Sequence, residues 1–301
     1  MKNVIIGMGV QGYKRKKYLN KNTVITVDIN KKADFKKIEN VPLKEYKNAY
    51  VCVPDEKKIN IIKFLVKNKK NVLVEKPLIS EDIQELKNLE KLAKKKKTFL
   101  YTAYNHRFEQ SVKKLKDIVK KKQLGKIYRC RIFYGNGTSI LVKNSPWRDK
   151  GAGVLKDIGS HVFDLCLFIF GEGKVKIQYQ KMIKFENKAP DHALIFLNYG
   201  NINLELEISL CMWKNSFALD LIGSNGSCHI NSLCKWSESS LTFYKRVKPS
   251  GIPKEKVIKY PKGDVTWKAE KIFFENQIKK NTKTNLKNDF LINQFFQKIK
   301  N

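Results

Sequence analysis

Continuously apolar runs alternate with mixed stretches over the first hundred residues. Val4-Ile5-Ile6, Val24 to Val27, Ala49 to Val53, Asn71 to Val74 and Thr98 to Tyr104 each read as strands that are apolar throughout, not at every second position. Such runs mark strands covered on both faces. Between them, Asp55 to Asn68 gathers Ile59, Ile62, Phe64, Leu65 and Val66 as the inner face of a helix. Ser80 to Lys97 opens with Ser80 and Glu81-Asp82, a good helix start. Strand, helix and strand in turn predict an α/β domain with a doubly wound parallel sheet. The segment from Asp28 to Ala49 is short for a full helix–strand pair, so a trimmed unit is expected there.

After about residue 105 the texture changes. A helix from Gln110 to Lys122 leads to a strand at Ile127 to Phe133, a Gly/Asn loop, and a helix from about Gly153 to Phe170. Strands are then expected at Val175 to Phe185, Asp191 to Tyr199, Asn201 to Leu210, Ser216 to Ile222 and Ser227 to Asn231. Asn198-Tyr199-Gly200-Asn201 and Gly223-Ser224-Asn225-Gly226 serve as hairpin turns. Ser250 to Gly263 reads as a proline-containing loop, and Asp264 to Lys280 and Asp289 to Lys300 as closing helices. The second half is expected to be an α/β domain with a large, mostly antiparallel open sheet. The boundary falls at 106/107, giving domains 1–106 and 107–301, with a C-terminal helix expected to pack back on the first domain.

Charge adds one question. The chain has 301 residues and a formal net charge of +33. Nucleic acid or an anionic membrane would explain that excess if it were localised. It is not: the cations are scattered end to end, and only Arg15, Arg107, Arg129, Arg131, Arg148 and Arg246 are arginines. Base reading favours arginine forks and stacked aromatics, and neither clusters. Nucleic-acid binding and membrane insertion are therefore not expected. No run approaches the ~20 apolar residues of a membrane span, and the start of the chain does not read as a signal peptide. Six cysteines without CxxC spacing read as reduced thiols of a cytoplasmic protein. The four histidines lack zinc-finger spacing, and no metal is expected.

Three motifs carry chemistry. Gly7-Met8-Gly9-Val10-Gln11-Gly12 follows the first strand and opens a helix, and Asp28 ends the next strand. In this dinucleotide-binding pattern, Gly7 permits the tight turn and Gly9 lets a pyrophosphate approach the backbone. Gly12 lets helix and strand pack, and the helix N-terminus faces the phosphates. Asp28 would accept hydrogen bonds from a ribose and repel a 2′-phosphate, favouring NAD over NADP, although Lys31 and Lys32 soften that preference. Glu75-Lys76-Pro77 lies at the carboxyl end of a strand, where ligands of open α/β sheets bind. Pro77 restricts Lys76 to an extended conformation, which aims an ammonium at the crevice. In Trp147 to His161, Asp157 and His161 are four residues apart and share a helical face, with Asp164 one turn on. An imidazole can take a hydroxyl proton near neutral pH.

The three motifs in this order, with VCVP, YNHRF (Tyr104 to Phe108) and WRDKGAGVLKDIGSHVFDL, resemble the Gfo/Idh/MocA family over nearly the whole chain. Ala152 stands where a middle glycine is usual. The resemblance implies an NAD(P)-dependent dehydrogenase or reductase that moves a hydride between nicotinamide and a carbinol carbon of a sugar, inositol or nucleotide sugar. It implies catalytic roles for Lys76, Asp157 and His161. Cofactor contacts would come from Gly7, Gly9, Val10, Gln11, Gly12, Asp28, Pro54, Glu75, Lys76 and Asn105. Substrate contacts would come from Lys76, Arg107, Arg148, Asp157 and His161, with Arg148 meeting an anionic group. His106 reads as a packing or hydrogen-bonded residue. The family also suggests homodimers or homotetramers through the open sheet. Synthesis of surface polysaccharide precursors is a plausible setting for an anionic substrate. The alternative is a cofactor-binding regulator or scaffold of the same fold that has lost the chemistry. Retention of Lys76, Asp157 and His161 together favours the enzyme.

Overall fold

A computed structural model describes residues 2–300. The chain forms two compact units, Met1–Asn105 with Trp267–Gln294, and His106–Thr266 with Phe295–Asn301. Among the described residues no helix is long and apolar enough to cross a membrane.

The first unit contains β1 (Lys2–Ile6), α1 (Val10–Lys17), β2 (Val24–Val27), β3 (Tyr46–Val51), α2 (Asp55–Lys67), β4 (Asn71–Glu75), α3 (Ile83–Lys96) and β5 (Leu100–Ala103). The strands pair in the order β2-β1-β3-β4-β5, all parallel. The apolar runs are buried on both faces: Val4, Val51, Val72 and Val74 pack with Ile62, Leu65, Leu86 and Leu89 of α2 and α3. Ile5, Tyr50 and Leu73 face a second cluster. The trimmed unit is seen directly. Two short 3-10 turns, Ile38–Asn40 and Leu43–Glu45, stand where a helix would link β2 to β3. Helix α3 starts later than the sequence suggests, because Asp82 caps it by accepting from the Gln84 N–H at 2.8 Å.

The second unit contains α4 (Gln110–Lys120), β6 (Ile127–Gly137), α5 (Ser139–Lys143), α6 (Ser160–Phe170), β7 (Val175–Ile183), β8 (His192–Tyr199), β9 (Ile202–Ser209), β10 (Cys211–Gly223), β11 (Gly226–Asn231), β12 (Ser239–Lys245) and β13 (Lys254–Tyr260). One eight-stranded sheet runs β13-β12-β11-β10-β6-β9-β8-β7. Only β6 and β9 pair in parallel. Alternation is clear on the central strands. Cys130, Ile132 and Tyr134 of β6 are buried, while Arg129 and Arg131 face outward toward Glu205 and Glu207.

Three local expectations are corrected. Ser250 to Gly263 is not a loop: β13 pairs with β12 from Ser239↔Tyr260 to Lys245↔Lys254. Its lysine-rich sequence hides the strand because it lies at the sheet edge, where charged side chains are suited. The Gly/Asn loop contains α5. The helix expected from Gly153 to Phe170 is broken into a π-helical turn, Leu155–Gly159, followed by α6. Asp157 therefore lies in the π turn and His161 in the first turn of α6.

The closing helices are α7 (Thr266–Lys279) and α8 (Lys287–Lys300). In the first unit, Phe274 of α7 is fully buried against Tyr50 and Phe99, each with ring centroids 5.8 Å away. Between the helices, the Thr284 hydroxyl accepts from the Leu100 N–H at 2.8 Å and donates to the Thr98 carbonyl at 2.9 Å. Glu270 of α7 completes a buried charge cluster. The Arg15 guanidinium lies 2.7 Å from both the Glu75 and Glu270 carboxylates, with Trp267 against its face at 4.2 Å. Burial pushes the Glu270 carboxyl up to about 7 against the pull of Arg15, and Glu75 adds to the rise. A carboxyl whose folded pKa is raised contributes stability below its unfolded pKa and loses it as pH rises through the folded value. Glu270→Gln is expected to match wild type near pH 4 and to gain roughly 2–4 kcal/mol over it by pH 8, read by urea denaturation at both pH values.

Candidate active site

The glycine loop after β1 divides its work as the spacing predicts. Gly7 has φ +92°, donates to the Val27 carbonyl at 2.8 Å, and would place a Cβ 2.5 Å from the Cys52 carbonyl oxygen. A Cβ on Gly12 would lie 2.0 Å from the Gly7 oxygen, so this glycine lets α1 sit on β1. Nothing lies within 4 Å of a Cβ built on Gly9. The one glycine assigned to ligand approach is therefore the one that faces open space, at the N-cap of α1.

Asp28 follows β2. Its Oδ2 accepts from the Met8 N–H at 2.6 Å, and its Oδ1 accepts from the N–H groups of Asn30 and Lys31 at 2.9 and 2.8 Å. Burial works against its charge, but the N–H groups of Lys31, Met8 and Asn30 outweigh it and hold the carboxyl below the usual range. Asp28 is thus an anion tied to the glycine loop, and the Lys31 ammonium, whose charge also favours the anion, lies 5.7 Å from the Tyr13 ring centroid. Val10, Tyr13 and Ile29 are large apolar side chains left exposed. Gln11 is half-buried, and its side-chain oxygen is buried without a hydrogen-bond partner. An open glycine turn, an ionised carboxylate, exposed apolar side chains and an unsatisfied acceptor fit a dinucleotide.

The second motif closes β4. Glu75 is buried, and Oε1 accepts from Arg15 Nε at 2.7 Å. Lys76 is half-buried, and the Lys76–Pro77 peptide bond is cis. Lys58 of α2, which the sequence reading did not single out, reaches under this corner. Its ammonium donates to the carbonyls of Glu75 at 2.6 Å and Pro77 at 2.8 Å, and pairs with Asp55 at 2.7 Å. One buried cation thus holds the carbonyls of the residues before and after Lys76. Pro54 caps α2 next to Asp55. Asn105 is buried at the start of a short turn, Asn105–Phe108.

The second unit holds the rest. Asp157, in the π turn, pairs with Arg148 Nη2. The anion-binding role expected of Arg148 is thus preceded by an internal carboxylate. His161 opens α6 and is buried, with its ring centroid 4.0 Å from that of His106. His106 Nε2 lies 3.3 Å from both the Tyr134 hydroxyl and the Lys235 ammonium. Arg107 is joined to the buried Asp164 through Nε, at 2.7 Å, and Nη2. Burial raises the Asp164 carboxyl and Arg107 pulls it back. The loop carrying Arg148 is fixed by Asp149, which accepts from the N–H groups of Lys188 and Ala189 at 3.2 and 2.8 Å. Gly153 has φ +46° and would place a Cβ 2.1 Å from the Pro190 oxygen. Among the described residues, no group of three or more His, Cys, Asp or Glu is placed to hold a metal.

Residues 1–104 match the family described as an oxidoreductase family with an NAD-binding Rossmann fold, and residues 112–229 match the GFO/IDH/MocA C-terminal domain. The chain belongs to the GFO/IDH/MocA family. Curated members include the myo-inositol 2-dehydrogenase of Thermotoga maritima, 31% identical over 124 residues, which are 40% of this chain and 35% of that protein. The trans-1,2-dihydrobenzene-1,2-diol dehydrogenase of Xenopus laevis is 24% identical over 71% of this chain and 67% of its own length. The matched segment thus spans about a third of the first relative and two thirds of the second. Levoglucosan dehydrogenase in complex with NADH superposes with a TM-score of 0.80 at 16% identity, over 99% of this chain and 95% of that one. An oxidoreductase from Agrobacterium radiobacter in complex with NAD+, L-tartaric acid and magnesium gives 0.79 at 12%, over 99% and 94%. The family's glycine turn generates a direct contrast. Gly9→Ala is expected to keep the wild-type melting temperature, whereas Gly12→Ala forces α1 off β1 and is expected to cost about 2–4 kcal/mol, measured by denaturant unfolding.

Proposed function

We propose that this member of the family is an NAD(P)-dependent dehydrogenase or reductase acting on a carbinol carbon of a sugar, inositol or nucleotide sugar. The observation that carries this reading is the open face of Gly9 beside an ionised Asp28. The relatives named as inositol and levoglucosan dehydrogenases support the substrate class. Gly7, Gly9, Val10, Gln11, Gly12 and Asp28 would hold the dinucleotide, with Pro54, Glu75, Lys76 and Asn105 completing its contacts. The bound cofactor supplies or accepts the hydride. Because Asp28 is held as an anion, NAD is preferred over NADP, a preference that Lys31 and Lys32 soften.

The chain's own residues handle the proton and the oxygen. His161 takes the hydroxyl proton in oxidation and returns it in reduction. Lys76, held by its fixed flanking carbonyls, stabilises the developing alkoxide. Asp157 orients the substrate hydroxyl, and Arg148 sets the Asp157 carboxylate. Arg107 keeps α6 in place through Asp164, so any contact with substrate is secondary to that pairing. The cationic excess suits an anionic sugar derivative, and the setting we assign is cytoplasmic synthesis of surface polysaccharide precursors. A second copy is expected to cover the open sheet face, where the Arg129–Glu205 and Arg131–Glu207 pairs would make the interface polar.

Fluorescence titration with NADH and NADPH tests the cofactor side. NADH is expected to bind more tightly than NADPH, and Asp28→Ala is expected to remove that preference. A folded protein that binds neither would overturn the enzyme reading. In a turnover screen over inositols, free sugars and nucleotide sugars, Lys76→Met and His161→Asn should each lower kcat/KM on the order of 10²–10⁴-fold. Their NADH affinity should stay near wild type.

A further inference from the structure

The second unit contains a buried polar array that the three catalytic motifs do not explain. His161 stacks obliquely on His106, with ring planes at 57° and centroids 4.0 Å apart. His106 is 2% exposed, and its Nε2 lies 3.3 Å from Tyr134 Oη and 3.3 Å from Lys235 Nζ. Lys235 also donates to Tyr134 Oη at 3.1 Å, and its ammonium is covered by the Trp236 ring at 4.6 Å. An ammonium can only donate, so His106 Nε2 accepts and the ring is neutral. Behind the histidine that meets the substrate hydroxyl there is thus a second histidine, and behind that a cation.

We propose that Lys235 is a positioning residue for proton transfer: acting through His106, it seats the His161 imidazole and keeps it neutral at neutral pH. This rests on the assignment of His161 as the proton acceptor. A cation at the far end of two touching imidazoles disfavours a second positive charge on either of them. Glu109, Asp264 and Asp157 act on Lys235. Arg148 sits on Asp157, the Arg107–Asp164 pair lies one turn further along α6, and Lys116 stands beyond Asp164. Burial pushes Lys235 down to about 8, and Glu109 leads the groups that hold it up. The ammonium is therefore charged at pH 7 and discharges just above it.

The test is a pH titration of histidine-labelled protein by NMR, without cofactor or substrate. Four histidines make assignment practical, with His161→Gln identifying the signal. Lys235→Met is expected to raise the His161 midpoint by about half a unit to one unit. Lys235→Arg should restore the wild-type value. The acid limb of the kcat/KM profile for oxidation should move up by the same amount in Lys235→Met. Wild-type protein provides a check that needs no variant: the His161 signal should show a second inflection near pH 8, where Lys235 loses its proton. An unmoved midpoint in folded Lys235→Met, or a flat wild-type signal above neutrality, overturns the assignment. A raised midpoint in a protein that binds no NAD(H) upholds the effect of Lys235 on His161 while sinking the dehydrogenase reading alone.

Discussion

The first unit turns on a single guanidinium. Helix α1 has only eight residues, so it has little stability of its own. Arg15 gives it an anchor. It reaches one carboxylate at the end of β4 and one on α7, and Trp267 covers its face. The glycine loop at one end of α1 and the Glu75-Lys76-Pro77 corner are thereby held by the same buried cation. One positive charge facing two carboxylates leaves a surplus, and the structure resolves it by keeping Glu270 on the edge of protonation. Removing Arg15 would leave two buried acids without a counterion, a loss far larger than that of a surface pair. Placement of the dinucleotide turn is in this sense an electrostatic problem before it is a packing one.

Much of this architecture is legible in the chain. The apolar runs of β1, β3 and β4 can only be strands covered on both faces, and Gly7, Gly9 and Gly12 have distinct steric reasons that the backbone bears out. Periodicity fails where the determining contact is remote. Lys58 looks like any of the other lysines, and only the fold shows it donating to carbonyls 17 and 19 residues away. Likewise β13 is a charged edge strand whose identity depends on β12. The π turn at Leu155–Gly159 is set by Gly153 against Pro190, a contact no local window contains. His106 is both buried and within hydrogen-bond reach of Tyr134 and Lys235. Its neighbour His161 lies 55 residues on, and the ring contact arises from tertiary structure.

Lysine abundance, which looked like background, conceals two specialised uses. Lys58 fixes the carbonyls of Glu75 and Pro77, the neighbours of Lys76 in the chain. In the proposal above, Lys235 stands behind His161 in the other unit and acts through an intervening ring. Lys58 is buried and Lys235 half-buried, and desolvation lowers the pKa of both, against neighbouring carboxylates that raise it. Their roles differ in the atoms they meet. Lys58 ends on peptide carbonyls and an aspartate, which favour the charged form, and Asp55 stays within hydrogen-bond reach as its counterion. Lys235 ends on a tyrosine hydroxyl and an imidazole, two neutral groups, and its carboxylates act only from a distance. A cation in the first setting is a fixed strut. In the second its proton is held less firmly, with the pKa pushed down to about 8, so the charge next to His106 becomes a function of pH.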